Sequence, residues 1–301
     1  MSYHNPVLLK ESTLGLVKNP DGIYIDCTFG GGGHAKEILN LLSSKGKLFA
    51  FDQDIDAKRN LIDDERFCFI NQNFKFLKNE LRARNIHLVD GVLADLGISS
   101  HQIDVPERGF STRFNSELDM RMNVNSSLNA KIIVNNYSED QLNHIFRSYS
   151  ELTNHKKITK EIINFRELNP INNTEDLKSL FTNSIPAKYQ NKFFAKLFQG
   201  LRIEVNDELS ALKKLLLDCS EVVTENGLVV FISYHSLEDK LVKQYLKYGV
   251  FEGMPERDFY GNWKAPFKPT QSKVMIPSDE EIKLNPRARS AKMRIATRNE
   301  K

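Results

Sequence analysis

The chain has 301 residues, 40% of them hydrophobic and 27% charged, the profile of a globular protein with a sizeable core rather than a disordered or fibrous one. Its longest apolar runs, such as Leu228 to Ile232, are strand-sized and too short to span a bilayer, and no signal-peptide pattern opens the sequence. A formal net charge of +3 neither demands nor excludes a nucleic-acid partner, while three cysteines (Cys27, Cys68, Cys219) without metal-ligand spacing predict a cytoplasmic, metal-free protein.

The first hundred residues alternate strand and helix patterns, which predicts a parallel sheet covered on both faces. Ile23 to Thr28 reads as a strand, and the glycine-rich turn after it opens a helix through Ile38, Leu41 and Leu42. Lys47 to Phe51 is a second strand, ending at Asp52. Phe67 to Ile70 is a third, followed by a helix around Phe76 to Arg84, and Val89 to Asp95 is a fourth. From His101 to Asn129 the chain is polar, with Pro106 and Gly109, and an ordered loop at most is expected.

Helical signals fill Asn129 to about Phe198. Ser138 and Gln141 form a capping box ahead of Leu142, Ile145, Phe146 and Tyr149 at helical spacing, and Pro170 and Pro186 punctuate further short helices. The α/β pattern then resumes with a helix whose face carries Val205, Leu209, Leu212, Leu216 and Cys219. A buried strand from Gly227 to Ser233 and a helix from Leu237 to Tyr248 follow, then an irregular connection from Tyr260 to Pro277 and a closing strand from Ala291 to Ala296. The expected organisation is an α/β core of residues 1–106 and 201–301, split by a helical insertion of residues 107–200.

The strand ending at Asp26 runs into Cys27-Thr28-Phe29-Gly30-Gly31-Gly32-Gly33-His34-Ala35. Glycines at a strand-to-helix turn let the backbone approach a ligand, and the helix start offers free N–H groups. Asp52 ends the next strand, where a carboxylate can accept both ribose hydroxyls of a nucleoside cofactor. Gly30, Gly32 and Ala35 also satisfy the dinucleotide pattern G-x-G-x-x-A, with Asp52 about 20 residues on. Asp26 weighs against that reading, because a carboxylate beside the turn repels a pyrophosphate but suits an ammonium or sulfonium. Asp95 ends the fourth strand, so Asp26, Asp52 and Asp95 line the sheet edge at which such folds bind ligands. Strand-end acids also cap helices, but three of them around four consecutive glycines point to a partly cationic cofactor, S-adenosylmethionine. Between Asn285 and Arg298, Arg287, Arg289, Lys292, Arg294 and Arg298 occur without an intervening acid. By charge alone they are either a solvated face or a phosphate-contacting strip.

From His4 to about Arg298 the chain closely resembles the bacterial 16S ribosomal RNA cytosine-N4 methyltransferases, the MraW or RsmH family. Matching blocks include His4-Asn5-Pro6-Val7-Leu8-Leu9-Lys10-Glu11, the Asp26 to Ala35 turn, Asp95-Leu96-Gly97-Ile98-Ser99-Ser100-His101-Gln102 and Glu107-Arg108-Gly109-Phe110-Ser111. They continue with Leu118-Asp119-Met120-Arg121-Met122, Phe198-Gln199-Gly200-Leu201-Arg202-Ile203, Val205-Asn206-Asp207-Glu208-Leu209, His235-Ser236-Leu237-Glu238-Asp239 and Asn285-Pro286-Arg287-Ala288-Arg289-Ser290. The resemblance implies a class I, Rossmann-like methyltransferase sheet with an inserted all-helical substrate-recognition domain. It places cofactor contacts at Gly32, Gly33, His34, Asp52, Phe74, Asp95 and Gln102, beside Asp26 and Gly30 from the turn itself. The implied substrate is a single cytidine in the decoding region of small-subunit 16S ribosomal RNA. Ala35 stands where the family commonly has a hydroxyl residue, and Asn115-Ser116-Glu117 replaces a more usual Gly-Pro before Leu118.

Methyl transfer from a sulfonium is an in-line displacement that needs alignment more than a covalent intermediate, and alignment is worth ~7–11 kcal/mol. None of the three cysteines is placed to act as the nucleophile of carbon-5 cytosine methylation, so N- or O-methylation is expected. Many amino-methylating enzymes hold the amine with an Asn/Asp-Pro-Pro-aromatic turn. Here Asp95-Leu96-Gly97-Ile98 keeps the acid and lacks the aromatic. His235, after the fifth strand, is either an aid to proton removal alongside Asp95 or a helix cap. Asp119, Arg121, Arg202 and Asn206 are candidates for shaping the RNA site, or for ion pairs between insertion and core. The resemblance favours phosphate contact for Arg287, Arg289 and Arg294. Competing readings are a small-molecule N-methyltransferase, a non-catalytic RNA-binding ribosome-assembly factor and a dehydrogenase. The insertion and basic strip disfavour the first, and the intact acid-and-glycine edge disfavours the second.

Overall fold

The computed structural model describes residues 6–300, so His4 and Asn5 of the first motif block lie outside the described residues. Strands β1 (Ile23–Asp26), β2 (Lys47–Phe51), β3 (Phe67–Ile70), β4 (Val89–Asp95), β5 (Val223–Ser233), β6 (Phe267–Pro269) and β7 (Lys292–Arg298) form one sheet in the order β3-β2-β1-β4-β5-β7-β6. The first five pair in parallel, and β7 runs antiparallel between β5 and β6. The chain walks outward from β1 to β3, then returns to start β4 on the other side of β1. The strand order therefore reverses between β1 and β4, where the ends of neighbouring strands open a crevice.

Strand residues point alternately to opposite faces, and both faces are covered by helices α1 (Leu9–Leu16), α2 (Gly33–Leu41) and α3 (Leu77–Ala83) and by helices that follow the insertion. Tyr24, Leu48, Ala50, Leu93 and Val230 pack on one face with Leu16 of α1 and Ile38 and Leu39 of α2. Ile25, Phe49, Phe51, Val92 and Phe231 pack on the other with Leu77 and Leu81 of α3. Because both faces are dry, the strands read as near-continuous apolar runs rather than alternating ones.

The second compact unit is Ile98–Glu208. It holds α4 (Ser100–Asp104), α5 (Ala130–Asn136), α6 (Glu139–His144), α7 (His155–Arg166), α8 (Thr174–Thr182) and α9 (Ala187–Asn206). Its core contains Leu118, Met120, Leu142, Phe146, Ile162, Leu177, Leu197 and Leu201. The Ser138–Gln141 capping box forms as its spacing predicts, although the Ile145–Tyr149 turn that continues α6 is a π-helix. The polar stretch from His101 to Asn129 holds more order than expected. Ser99 and Gln102 close a capping box on α4, and Phe110, Leu118, Met120 and Met122 are buried. The unit boundaries fall at Gly97/Ile98 and Glu208/Leu209, against the 106/107 and 200/201 expected from composition. The C-terminal shift follows from α9, which stays helical to Asn206 and buries Leu201 and Val205 in the insertion core.

Helices α10 (Glu208–Val222), α11 (Ser236–Tyr248) and α12 (Asp279–Leu284) belong to the return half, where Leu212, Leu216 and Cys219 of α10 and Val242 and Tyr245 of α11 join the core under Phe231. The continuous helix expected from Val205 to Cys219 is in fact broken. Asp207 adopts φ 51°, ψ 40° and ends α9, a left-handed conformation that short polar side chains tolerate. The segment read as irregular contributes β6, whose Phe267 is buried against β7.

Candidate active site

The sheet register sets the depth of the three acids. Asp26 stands level with Ala50 of β2 and Leu93 of β4, while Asp52 and Asp95 lie two residues beyond those partners on the flanking strands. Asp26 is fully buried. Its Oδ1 accepts the Thr28 N–H at 3.0 Å, while its Oδ2 is buried with no hydrogen-bond partner among the described residues. Burial pushes its carboxyl up to about 7, opposed by the Thr28 N–H and reinforced by Asp52. Asp52 ties down the glycine turn: Oδ2 accepts the Gly30 N–H at 2.8 Å and Oδ1 the Asp54 N–H at 2.8 Å.

Asp95 faces the same crevice from β4. Its backbone N–H donates to Thr28 Oγ1 at 2.7 Å, which links the ends of β1 and β4. Its Oδ1 accepts the Tyr234 hydroxyl at 2.8 Å. Its Oδ2 lies 3.9 Å from His34 Nδ1, and about a fifth of the side chain is exposed. Burial raises this carboxyl to about 7 as well, with the Tyr234 hydroxyl opposing and Asp26 and Glu238 reinforcing.

The glycine turn is shaped by the chain itself. Gly32 adopts φ +76°, and a Cβ there would sit 3.0 Å from the Phe29 ring. At Gly33 a Cβ would collide with Pro6 at 2.1 Å, so this glycine makes room for the N-terminal segment at the start of α2. His34 Nε2 lies 3.2 Å from the Val7 carbonyl. A carbonyl only accepts, so Nε2 carries the proton and Nδ1 presents a lone pair toward Asp95. Burial lowers the His34 imidazole to about 4, against the Val7 contact, which keeps the ring neutral at physiological pH.

Sequence reasoning missed Tyr234 and Glu238. Glu238 is buried, and its Oε2 accepts the Tyr234 N–H at 2.9 Å while Oε1 lies 3.1 Å from His235 Nε2. His235 occupies the N-cap position of α11, with its ring near the Glu238 carboxyl but neither ring nitrogen in a hydrogen bond among the described residues. The signal in the sequence was the spacing of His235 and Glu238, which is that of a capping box.

The remaining predicted residues are scattered. Phe74 is half-buried just past β3, packed against the core beneath the sheet. Gln102 lies in the helical unit, where its Oε1 accepts the Ser99 N–H at 3.1 Å. Asp119 and Arg121 form a two-pronged pair at 2.9 and 2.7 Å, and Arg121 also donates to the Val124 and Ser126 carbonyls. Arg202 pairs in the same way with Glu208, both contacts at 2.8 Å and both side chains about nine-tenths buried. Asn206 accepts the Met122 N–H and donates to the Met120 and Arg202 carbonyls. These bonds lie within the helical unit. Arg294 is engaged too, by Asp239 at 2.8 Å, with Lys292 beside it. Arg289 is exposed, Arg287 half-buried, in a short helical turn after α12.

An orphaned buried carboxylate oxygen calls for a cation or a donor, and a dinucleotide pyrophosphate supplies neither. S-adenosylmethionine brings an ammonium, a sulfonium and ribose hydroxyls, which match Asp26, the adjoining crevice and Asp52. Sheet order, reversed last strand and acid-lined switch point together define a class I S-adenosylmethionine-dependent methyltransferase. The chain belongs to the MraW methylase family, matched over residues 1–299. It is 55% identical to the ribosomal RNA small subunit methyltransferase H of Flavobacterium johnsoniae, over 98% of both chains. With the protein of the same name from Bacteroides thetaiotaomicron it shares 48% identity, over 98% of this chain and 97% of that one. Among solved structures, an rRNA methylase from Streptococcus thermophilus is similar over 96% of this chain and 93% of that one at 11% identity and a TM-score of 0.39, a likeness too loose to add to the assignment. Among the described residues no helix is long and apolar enough to cross a membrane.

Proposed function

We propose that this chain transfers a methyl group from S-adenosylmethionine to the N4 amine of a specific cytidine in 16S ribosomal RNA, in the decoding region of the small subunit. The relatives named above act, by name, on small-subunit ribosomal RNA. The observation that carries the amine chemistry is the state of Asp95. One oxygen is held by Tyr234, and the other faces the crevice next to a neutral histidine.

When bound, S-adenosylmethionine supplies an electrophilic methyl carbon. Asp26 Oδ2 receives the cofactor's cationic end, Asp52 accepts ribose hydroxyls, and Phe74 packs against the adenine. Asp95 Oδ2 accepts an amine N–H of the cytosine, which turns the nitrogen toward the methyl carbon. An acid raised to about 7 is matched to take the amine proton near neutrality. Carbon-5 methylation is disfavoured because Cys27 and Cys219 are buried with thiols pushed above their ordinary value; such thiols are poor nucleophiles. Arg287 and Arg289 contact phosphates, and the helical unit recognises the surrounding RNA.

The test is methyl transfer from radiolabelled S-adenosylmethionine to isolated small ribosomal subunits and to free nucleosides, followed by nucleoside digestion. Label in N4-methylcytidine from subunits alone supports the reading. Label in another nucleoside, or none despite cofactor binding, refutes it.

A further inference from the structure

The turn after β4 keeps its acid and has no aromatic to face a base, since Asp95 is followed by Leu96, Gly97 and Ile98. The structure brings an aromatic to that place from the neighbouring strand. Tyr234 follows β5 directly, and its ring lies against the Gly97 backbone, where a Cβ would stand 3.4 Å from Cδ2. Gly97 adopts φ +99°, a conformation that side chains other than hydrogen rarely take, so the close approach of ring to turn is built into the backbone. The ring is fixed at both ends. Its hydroxyl donates to Asp95 Oδ1, and its backbone N–H donates to the buried Glu238. It packs on the core cluster that contains Val7, Leu8 and Ile232 and is itself half-buried.

We propose that Tyr234 is the base-positioning aromatic of this enzyme, its ring bearing on the target pyrimidine while its hydroxyl orients Asp95 so that Oδ2 meets the amine. This rests on the cytosine-N4 reading above. An amine hydrogen-bonded to Asp95 Oδ2 brings its own ring within a side chain's width of Tyr234, because the phenol and the amine share one carboxylate. Stacking on an aromatic is worth ~1–3 kcal/mol per base, and the two-point anchorage means that little side-chain freedom is lost when the base arrives. The hydroxyl has a separable effect. The charged or titratable groups facing Asp95 are Tyr234 from the end of β5, His34 from α2, Asp26 from β1 and Glu238 from α11. Of these, the hydroxyl is the group that holds the carboxyl down.

The experiment compares wild type, Tyr234→Phe, Tyr234→Leu and Tyr234→Trp on isolated small subunits, with cofactor affinity and thermal unfolding measured on each. Tyr234→Leu should lose about 10–100-fold in kcat/KM for subunits, the range expected for one lost stacking contact, at unchanged cofactor affinity. Tyr234→Phe should recover all but about a few-fold of that loss, with the acidic limb of its pH–rate profile displaced to higher pH because Asp95 loses its donor. In Tyr234→Trp with S-adenosylhomocysteine bound, isolated small subunits should quench the added emission, a readout independent of turnover. Wild-type rates in Tyr234→Leu, equal losses in Phe and Leu, or emission indifferent to subunits that bind the variant would overturn the proposal. Wild-type enzyme that labels a nucleoside other than N4-methylcytidine would instead remove the reading on which it rests.

Discussion

The strand-end edge of the α/β unit and the helical unit both hold buried or half-buried acids, and they treat them in opposite ways. In the helical unit Glu208 meets Arg202 in a two-pronged pair, Asp119 meets Arg121, and Asn206 spends its amide on backbone groups of Met120 and Met122. At the sheet edge Asp26 is buried with an oxygen that no group among the described residues satisfies, and Asp95 is crowded by Asp26 and Glu238, with no cation paired to it among the described residues. Satisfied buried charge serves the fold. Unsatisfied buried charge costs stability and persists where function needs it. The contrast separates residues that look equivalent as sequence motifs.

Four substitutions test the contrast. Asp95→Ala should lower methyl transfer by about 10²–10⁴-fold, the range of a positioned acid–base group, measured as label incorporated per folded enzyme. A loss of only a few-fold would place the amine-binding group elsewhere. Arg202→Ala should instead destabilise the protein by about 3 kcal/mol by stranding Glu208, read by denaturant unfolding, with RNA affinity of the folded fraction little changed. An intact fold with lost RNA binding would return Arg202 to the substrate site.

The pH dependence of the cofactor-free protein sharpens the point. Asp26 and Asp95 have carboxyls raised to about 7 in the folded state, so the folded chain holds those protons more tightly than the unfolded one. Their contribution to stability is present below about pH 4 and is lost as pH rises toward about 7. Asp26→Asn should flatten that decline and raise the unfolding midpoint at pH 8 by a few degrees, a gain in stability bought at the expense of cofactor binding. A lower midpoint at pH 8 would show that the Asp26 charge is compensated after all. The smallest effect is expected at Ser138→Ala, which removes the cap of α6 and should cost about 1 kcal/mol without touching transfer.

Much of the site was legible because strand period and strand end are local signals. Asp26, Asp52 and Asp95 each close an apolar run, and the glycines announce the turn. Roles that depend on distant partners were not legible. Asn206 bonds to residues more than eighty positions away, and Tyr234 reaches Asp95 across 139; no periodicity reports such pairs. The break at Asp207 was hidden because Val205 and Leu209 continue the apolar spacing across it, and the left-handed cap carries no glycine to mark it. Strand β6 escaped because three residues at an edge, preceded by Pro266 and ending in Pro269, have neither the length nor the alternation of a strand signal.

The central claim is that the orphaned Asp26 carboxylate receives the cationic end of the cofactor. Calorimetric titration of S-adenosylmethionine near pH 6.5, in buffers of different ionisation enthalpy, tests it directly. A cation arriving at Asp26 lowers the carboxyl and expels its proton, so the account predicts net proton release on binding by wild type, and weaker binding without that release by Asp26→Asn. Equal affinity in the two proteins, with no dependence of the heat on buffer, would contradict it.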